Sequence, residues 1–288
     1  MIAYPQYRKL PAEYLKQKID EYLTEDIPTF DVTGEGIFDK NAKSVAYIQA
    51  QQDLIFAGTQ LFEYFFGDEF EVKVMFEDGA EVKNGEVIAE ISGSTADILA
   101  KERVLLNLLQ RVCGIATLTN KYSKIANPHN VKILDTRKTT PGIRLFEKYA
   151  VVCGGGYNHR MDLSAGVLIK DNHIKAAGSV KNVIDRIKSM NYNLPTELEV
   201  DTFDQLREGL EAGADGFLLD NMSPERTIEA VKIVRESPGG DDLFIESSGG
   251  ITLETLAGYV STGINAISIG ALTHSAKSAE IHMEFKNG

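Results

Sequence analysis

The side chains of this chain best suited to chemistry are a group of basic residues between positions 135 and 173. The group consists of Arg137, Lys138, His159, Arg160 and Lys170. Three consecutive glycines, 154–156, lie in the same stretch, and the whole chain holds 42 acidic against 30 basic side chains. Arginine binds carboxylates and phosphates through paired hydrogen bonds, whereas lysine acts as a point charge. A basic, glycine-rich stretch in an acidic chain therefore predicts a pocket for a small anion.

Two carboxylates, Glu199 and Asp220, stand at the ends of neighbouring predicted strands. Paired carboxylates can hold Mg²⁺ together with phosphate oxygens, bind ribose hydroxyls, or offset a developing positive charge. A structural ion pair with a basic side chain of the same domain is the alternative, and it stays open at this point.

Glycine-containing turns follow the last two predicted strands, at 247–250 and 268–271. In β/α barrels a phosphate group commonly binds at this position, on backbone N–H groups and a helix N-terminus. His159, next to an arginine in a glycine-rich loop, is favoured as a binding group over a core histidine. The chain has no Cys/His metal spacing, no G-x-S-x-G and no P-loop. A zinc site, a serine hydrolase and a Walker-type NTPase are therefore disfavoured.

Short apolar runs separated by amphipathic helical stretches organise the second half of the chain. They lie at 131–135, 166–170, 196–200, 215–220, 243–247 and 265–270. This rhythm is typical of a parallel β/α barrel, in which the carboxyl ends of the strands carry the chemistry. Polar or glycine residues end all of these runs, so we predict an active site at the barrel mouth. Because the strands are fewer than eight, the predicted fold is α/β, an incomplete parallel β/α barrel.

The first part of the chain predicts a separate α/β sandwich-like domain. An amphipathic helix at 11–24 and alternating β-runs lead to a long helix at 96–126, in which Gly114 predicts a kink or break and the domain boundary. The predicted domains are therefore 1–113, joined by a last strand in 278–288, and a barrel at 114–277 that carries the active site. The β-runs around 70–93 resemble the hammerhead of biotinyl and lipoyl carriers, but no lysine stands at a hairpin tip in the carrier context.

Composition narrows the class of protein. A net charge of −12 argues against nucleic acid or an anionic membrane as the main partner. No run approaches 18 apolar residues and the first ten residues contain no apolar signal region, so we expect neither secretion nor membrane insertion. Cys113 and Cys153 both have apolar neighbours and predict buried, reduced thiols, which fit a cytoplasmic location.

Motifs along nearly the whole chain closely resemble those of the quinolinate phosphoribosyltransferases, the decarboxylating nicotinate-nucleotide pyrophosphorylases. The matching segments are TEDI…DVT (24–33), ERVLLNLLQRVCGIAT (102–117), DTRKTTPGIR (135–144), GGGYNHRMDLSAGVLIKDNHI (154–174), ELEVD (197–201), FLLDNM (217–222), SSGGI (247–251) and ISIGALTHS (267–275). The resemblance implies an N-terminal α/β domain plus an incomplete barrel. It also implies a pentosyltransferase of NAD biosynthesis that makes nicotinate mononucleotide, pyrophosphate and CO₂ from quinolinate and phosphoribosyl pyrophosphate, with Mg²⁺.

The same resemblance implies a role for each matching residue. The two quinolinate carboxylates would be held by Arg137, His159 and Arg160, with Lys138 and Lys170. The ribose hydroxyls and Mg²⁺ would be bound by Glu199 and Asp220. The 5′-phosphate would be held by Ser248, Gly249 and Gly270. The expected catalytic groups are Lys138, Lys170, Glu199 and Asp220, and both lysines would also face the pyrophosphate. Arg103 would enter the site of a neighbouring subunit, which implies a homodimer or a higher homo-oligomer.

Three alternatives stay open. A related phosphoribosyltransferase could use another pyridine-like acceptor. A barrel lyase could form a Schiff base on Lys170, which would require a desolvated lysine. A carrier or binding module based on the hammerhead-like segment would require a modified lysine.

Overall fold

The computed structural model describes residues 2–39 and 41–286. The strands are β1 (Lys43–Ala50), β2 (Leu54–Ile55), β3 (Glu71–Val74), β4 (Glu81–Val82), β5 (Val87–Ser94), β6 (Lys132–Leu134), β7 (Val167–Ile169), β8 (Thr196–Val200), β9 (Gly216–Asp220), β10 (Phe244–Ser248), β11 (Ala266–Ser268) and β12 (Ile281–Phe285). The α-helices are α1 (Ala12–Asp26), α2 (Val32–Ile37), α3 (Thr59–Phe66), α4 (Thr95–Ala126), α5 (Arg144–Cys153), α6 (Asp171–Ala177), α7 (Val180–Ser189), α8 (Phe203–Ala212), α9 (Pro224–Arg235), α10 (Leu256–Tyr259) and α11 (Ala271–His274). None of the described helices is long and apolar enough to cross a membrane.

The chain forms two compact units. The barrel unit takes in the described residues of Met1–Gln6, Lys121–Thr139 and Gly156–Ala271. Its six-stranded sheet has the order β6-β11-β10-β9-β8-β7, and all of its strand pairs are parallel. The sheet is open, with β6 and β7 at its edges, so the predicted incomplete parallel barrel is confirmed.

Most residues of the strands in the barrel unit are buried, and in β9 and β10 exposure begins only at the last residue. In β9, for example, the first four residues are buried and Asp220 is partly exposed. Helices start close behind the strands because capping residues are placed there. Thr202 caps α8 through a capping box with Gln205, and Ser223 caps α9, which has a proline in its first turn. These short connections hold the residues after each strand at one edge of the sheet.

The second unit takes in the described residues of Tyr7–Asn120, Thr140–Gly155 and Leu272–Gly288. Its main sheet has the order β12-β1-β5-β3 and is antiparallel, so the last strand of the chain pairs with the first. These units group residues differently from the predicted division into 1–113 with 278–288 and 114–277. That division stays a prediction.

Of the kink or break predicted at Gly114, the break is wrong, because α4 runs without interruption from Thr95 to Ala126. The glycine is needed for close packing instead. A Cβ atom at this position would lie 2.1 Å from the carbonyl oxygen of Lys277. Both cysteines are free thiols, but only Cys113 is fully buried, and Cys153 is partly exposed.

Candidate active site

Side chains from the carboxyl ends of the parallel strands line a cavity of about 560 Å³. Because the strands run in the same direction, the residues that follow them meet at one edge of the sheet. The predicted site residues among its lining are Arg137, Lys138, His159, Arg160, Lys170, Glu199, Asp220, Ser248 and Gly249. The site residues predicted at the barrel mouth, apart from Gly270 and Arg103, therefore line one continuous cavity.

Two predicted residues do not line this cavity. Gly270 follows β11, two residues after Ser268, which does line it. Arg103 lies on α4 in the second unit, where its side chain is 62% exposed. There it lines a different cavity of about 510 Å³ together with acidic residues that include Glu25 and Asp26.

Two neighbouring guanidinium groups, those of Arg137 and Arg160, face the cavity. Burial lowers the pKa of Arg160, and the positive charge of Arg137 lowers it further. Nη1 of Arg160 donates a hydrogen bond to the carbonyl oxygen of Gly166 at 2.9 Å. Nε of Arg137 is buried and has no hydrogen-bond partner among the residues described. An anionic ligand would relieve the repulsion between the two cations and use the free donor.

The loop that carries His159 and Arg160 is fixed to the end of β6. Tyr157 forms a parallel bridge with Leu134, which extends the edge of the sheet. Asp135 is fully buried and accepts two hydrogen bonds from this loop. One comes from the backbone nitrogen of His159 at 2.9 Å and one from Nδ2 of Asn158 at 2.6 Å.

His159 also contacts two fully buried glutamates. Its Nε2 lies 3.4 Å from Oε2 of Glu197 and 3.5 Å from Oε2 of Glu246. Burial raises the pKa of Glu197 to about 8, with Arg160 acting in the opposite direction. Burial likewise raises the pKa of Glu246 to about 7, with His159 acting in the opposite direction. The cluster therefore holds a proton near neutral pH.

The ligand atoms of His159, Glu197 and Glu246 lie within 4.8 Å of one another, a spacing that a metal ion could also use. The hydrogen bonding of the imidazole argues against it. Nδ1 of His159 accepts a hydrogen bond from the backbone nitrogen of Arg160 at 2.7 Å. In a neutral ring the proton then sits on Nε2, the nitrogen that faces the carboxylates. A protonated nitrogen has no lone pair to offer a metal ion.

Lys170, Glu199 and Asp220 form a second charged group in the cavity. Nζ of Lys170 lies 2.5 Å from Oε2 of Glu199, so Glu199 does form the ion pair that the sequence left open as an alternative. The lysine side chain is 45% exposed and the glutamate side chain 12%. Asp220 instead accepts a hydrogen bond from Nδ2 of Asn221 at 2.8 Å. Burial, and then the negative charge of Asp201, raise the pKa of Asp220.

The turn after β10 consists of two glycines, so that its backbone lies at the cavity without covering side chains. Gly249 and Gly250 have φ of +95° and +63°, which side chains other than glycine rarely adopt. A Cβ atom on Gly249 would lie 2.2 Å from Oδ1 of Asn221. The backbone nitrogen of Asn221 donates to the carbonyl oxygen of Ser248 at 2.8 Å, which holds the turns after β9 and β10 together. Such turns expose N–H groups to an anion.

Some residues at the site had been given no role from the sequence. They are Glu197, Glu246 and Asn158, and the cavity-lining residues Thr136, Leu168, Leu218, Asn221, Gly250 and Ser268. One signal was available for Glu197. It stands two positions before Glu199 in a strand, so both side chains point to the same face. No comparable signal marks Asn158, because its partner Asp135 comes from a distant segment.

Comparisons with known proteins agree along the chain. The family model described as quinolinate phosphoribosyl transferase, N-terminal domain, matches residues 31–113, and that of the C-terminal domain matches residues 115–284. A probable nicotinate-nucleotide pyrophosphorylase (carboxylating) of Bacillus subtilis is 42% identical over 274 residues, 94% of this chain and 93% of the relative. A chloroplastic nicotinate-nucleotide pyrophosphorylase (carboxylating) of Arabidopsis thaliana is 38% identical over 293 residues, 95% of this chain and 83% of the relative.

Solved structures give the same result. The nicotinate-nucleotide pyrophosphorylase from Francisella tularensis superposes with a TM-score of 0.92 at 33% identity, covering 99% of this chain and 100% of that one. NadC from Streptococcus pyogenes superposes with a TM-score of 0.90 at 35% identity, covering 97% of this chain and 99% of that one.

Proposed function

Because the chain belongs to the quinolinate phosphoribosyl transferase family, we propose that it transfers the phosphoribosyl group of phosphoribosyl pyrophosphate to quinolinate. The products are nicotinate mononucleotide, pyrophosphate and CO₂, and the reaction belongs to NAD biosynthesis. The observation that carries this proposal is a single cavity in which two adjacent guanidinium groups, a pair of carboxylates and a glycine turn meet. A substrate with two carboxylates and one with several phosphates match these groups in charge.

The acceptor acid binds at the guanidinium groups of Arg137 and Arg160. Each can hold a carboxylate through two parallel hydrogen bonds, which orients the pyridine ring as well as binding it. Lys138 and Lys170 also line the cavity and add positive charge to it. His159 lines the same cavity beside Arg160 and contributes shape and hydrogen bonding.

The phosphoribosyl donor binds at the carboxylate pair and the glycine turn. Glu199 and Asp220 accept hydrogen bonds from the ribose hydroxyls. Ser248 and Gly249, with Gly270 beyond the next strand, bind the 5′-phosphate through backbone N–H groups and a hydroxyl. Lys170, already next to Glu199, faces the pyrophosphate that leaves.

Glu199 and Asp220 also fit Mg²⁺, which prefers a few carboxylate oxygens together with phosphate oxygens and water. The ion would supply positive charge to the pyrophosphate as it departs. A test is removal of divalent metal with EDTA, which should abolish turnover, and restoration with MgCl₂. Turnover that persists after EDTA treatment would contradict this role.

Placement and charge drive the reaction. As the bond between C1′ and pyrophosphate breaks, positive charge develops on the ribose and negative charge on the leaving group. The carboxylates face the first charge and Lys170 the second. The pyridine nitrogen then bonds to C1′, and the positively charged ring accepts the electron pair released when the adjacent carboxylate leaves as CO₂. A proton replaces the carboxylate on the ring.

A homodimer in which Arg103 enters the neighbouring site is part of the proposal. Its support is the exposed arginine on α4. Arg103→Ala should reduce quinolinate turnover. When it is mixed in equal amounts with an inactive cavity variant, hybrid dimers should form. Their rate should be partly recovered if the arginine acts in the partner's site. A monomer by sedimentation would contradict this part. A cytoplasmic location stays a prediction.

The direct test is an end-point assay with Mg²⁺, phosphoribosyl pyrophosphate and either quinolinate or nicotinate, with the product identified by mass. We expect nicotinate mononucleotide from quinolinate. Product from nicotinate alone would favour the related transferase with another acceptor. The Schiff-base alternative is disfavoured because it requires a desolvated lysine, whereas the side chain of Lys170 is 45% exposed.

A variant locates the acceptor. Arg160→Ala should raise the KM for quinolinate at least roughly tenfold, since a buried charge-assisted contact is lost. The KM for phosphoribosyl pyrophosphate should change much less. Arg207→Ala, at an exposed arginine away from the cavity, is the matched control. Unchanged kinetics in Arg160→Ala would contradict the diacid assignment.

A further inference from the structure

The N-terminal segment (residues 2–6) is built into the barrel unit rather than into the second unit. Ile2 is buried in a cluster with Leu134, Phe244 and Ala266, which belong to three strands of the parallel sheet. Its side chain lies so close to Gly216 that a Cβ atom there would be 2.7 Å from Cδ1 of Ile2. This end of the segment is fixed by apolar packing against residues of the parallel sheet.

Gln6 is fixed to the backbone of the residue that precedes His159. Its Oε1 accepts a hydrogen bond from the backbone nitrogen of Asn158 at 2.8 Å. Its Nε2 donates to the carbonyl oxygen of Asn158 at 3.1 Å. One side chain therefore satisfies both backbone groups of Asn158 on the side away from β6, in the manner of a neighbouring strand.

Tyr4 lies between His159 and the start of β7. Its ring stacks on the imidazole with a centroid distance of 4.8 Å and an interplanar angle of 27°. On its other side, a Cβ atom on Gly166 would lie 2.7 Å from Cε1 of Tyr4. Gly166 is also the residue whose carbonyl oxygen accepts the hydrogen bond from Arg160. Tyr4 thus touches both the imidazole and the residue that holds the guanidinium group.

We propose that Tyr4 and Gln6 are positioning residues for the acceptor diacid, acting through His159 and Arg160. The inference rests on the proposed function. Neither residue is among those that line the cavity, so neither would touch the substrate. Tyr4 contacts His159 and Gly166, and Gln6 is hydrogen-bonded to Asn158, so both hold the loop that follows the three glycines at 154–156.

The physical reason is the conformational freedom of that loop. Glycines have the largest backbone freedom to lose, so a loop that starts with three of them needs contacts from outside to hold one geometry. A displacement of about 1 Å in a substrate-holding group can cost roughly a hundredfold in rate. The bonds of Asp135 hold the loop on one side, and the N-terminal segment holds it on the other.

The stacking contact and the hydroxyl group of Tyr4 have separable roles. Tyr4 Oη is buried and has no hydrogen-bond partner within the described residues, and burial raises its pKa, with Glu197 and Glu246 adding to the effect. Removing an unpaired buried hydroxyl is neutral or favourable. Tyr4→Phe should therefore keep the function of Tyr4, whereas Tyr4→Leu removes the flat ring that stacks on His159.

The experiment measures quinolinate binding and kinetics in Tyr4→Leu, Tyr4→Phe and Gln6→Ala. We expect Tyr4→Leu and Gln6→Ala to raise both the quinolinate Kd by calorimetry and its KM at least roughly tenfold. The KM for phosphoribosyl pyrophosphate should stay within about twofold, as should every constant of Tyr4→Phe. Gln17→Ala, on an exposed face of α1, is the matched control for Gln6→Ala.

Each other outcome overturns the inference. Gln6→Ala, the smaller perturbation, decides the matter if Tyr4→Leu does not fold. An equal rise in KM for quinolinate and for phosphoribosyl pyrophosphate would indicate general destabilisation. An unchanged quinolinate Kd in a folded variant would show that the segment does not position the site. A wild-type protein that makes no product from quinolinate would overturn the proposed function as well. An active wild type with unaltered variants would overturn only this inference.

Discussion

Replacing Glu246 with glutamine should weaken the pH dependence of folding stability. The side chain is fully buried, close to Glu197 and His159, and burial raises its pKa from 4.5 to about 7. Between pH 4.5 and about 7, the Glu246 carboxyl group has lost its proton in the unfolded chain but still holds it in the folded protein. Raising the pH therefore favours the unfolded state. The stabilisation is complete below pH 4.5 and is lost as the pH rises through about 7.

The magnitude follows from the pKa change. A tenfold change in an acid constant corresponds to about 1.4 kcal/mol. The rise from 4.5 to about 7 then removes roughly 3 kcal/mol of the free energy of unfolding by pH 8. Glutamine has nearly the shape of the protonated acid and no proton to lose in this range. As the pH rises to 8, the free energy of unfolding of Glu246→Gln should therefore fall by less than that of the wild type, and the difference should reach up to roughly 3 kcal/mol.

Urea unfolding at pH 5, 6, 7 and 8, followed by far-ultraviolet circular dichroism, measures this difference. Glu77→Gln, at an exposed position, controls for the loss of one negative charge and should leave the pH dependence unchanged. Part of the pH dependence should remain in Glu246→Gln, because the pKa of Glu197 is raised to about 8. Identical slopes in the wild type and Glu246→Gln would refute the reasoning, since Glu246 would then be ionised equally in both states.

Two further substitutions test the donor half of the site. Gly249→Ala should raise the KM for phosphoribosyl pyrophosphate at least roughly tenfold, because the new Cβ would clash with Asn221. Gly239→Ala, which also has a positive φ but no atom within 4 Å of a Cβ, separates this clash from backbone strain, and equal effects in both variants would contradict the prediction. Lys170→Met should lower kcat roughly a hundredfold in a single-turnover assay, because the pyrophosphate loses a cation. An unchanged kcat would exclude that role and leave only the ion pair with Glu199.

Much of the architecture was predictable from the chain alone. Short apolar runs with polar ends encode buried parallel strands, and the carboxyl ends of parallel strands share an edge by geometry. Arg137, Lys170, Glu199 and Asp220 could therefore be placed in one site before any contact was known, and all four line the same cavity. The resemblance of motifs such as DTRKTTPG to the family then indicated the chemistry of that site.

Other features depended on tertiary contacts. The sequence shows that Lys170 and Glu199 lie at strand ends, but only the fold shows that they form an ion pair. The pattern around Gly114 predicted a kink or break, whereas the glycine lies inside a continuous helix and allows close packing against Lys277. Local patterns report backbone preference and burial, and they do not report which atom of a distant segment a side chain meets.

The support of the site is the clearest case. Gln6 and Asn158 are 152 positions apart, and their hydrogen bonds form because the N-terminal segment packs into the barrel unit. Glu246 reads from sequence as one more strand-end acid, yet in the fold it is buried beside Glu197, which changes its protonation. The sequence by itself determined which groups reach the barrel mouth. Tertiary structure decided how they are paired, protonated and held, because those properties arise from neighbours that are distant along the chain.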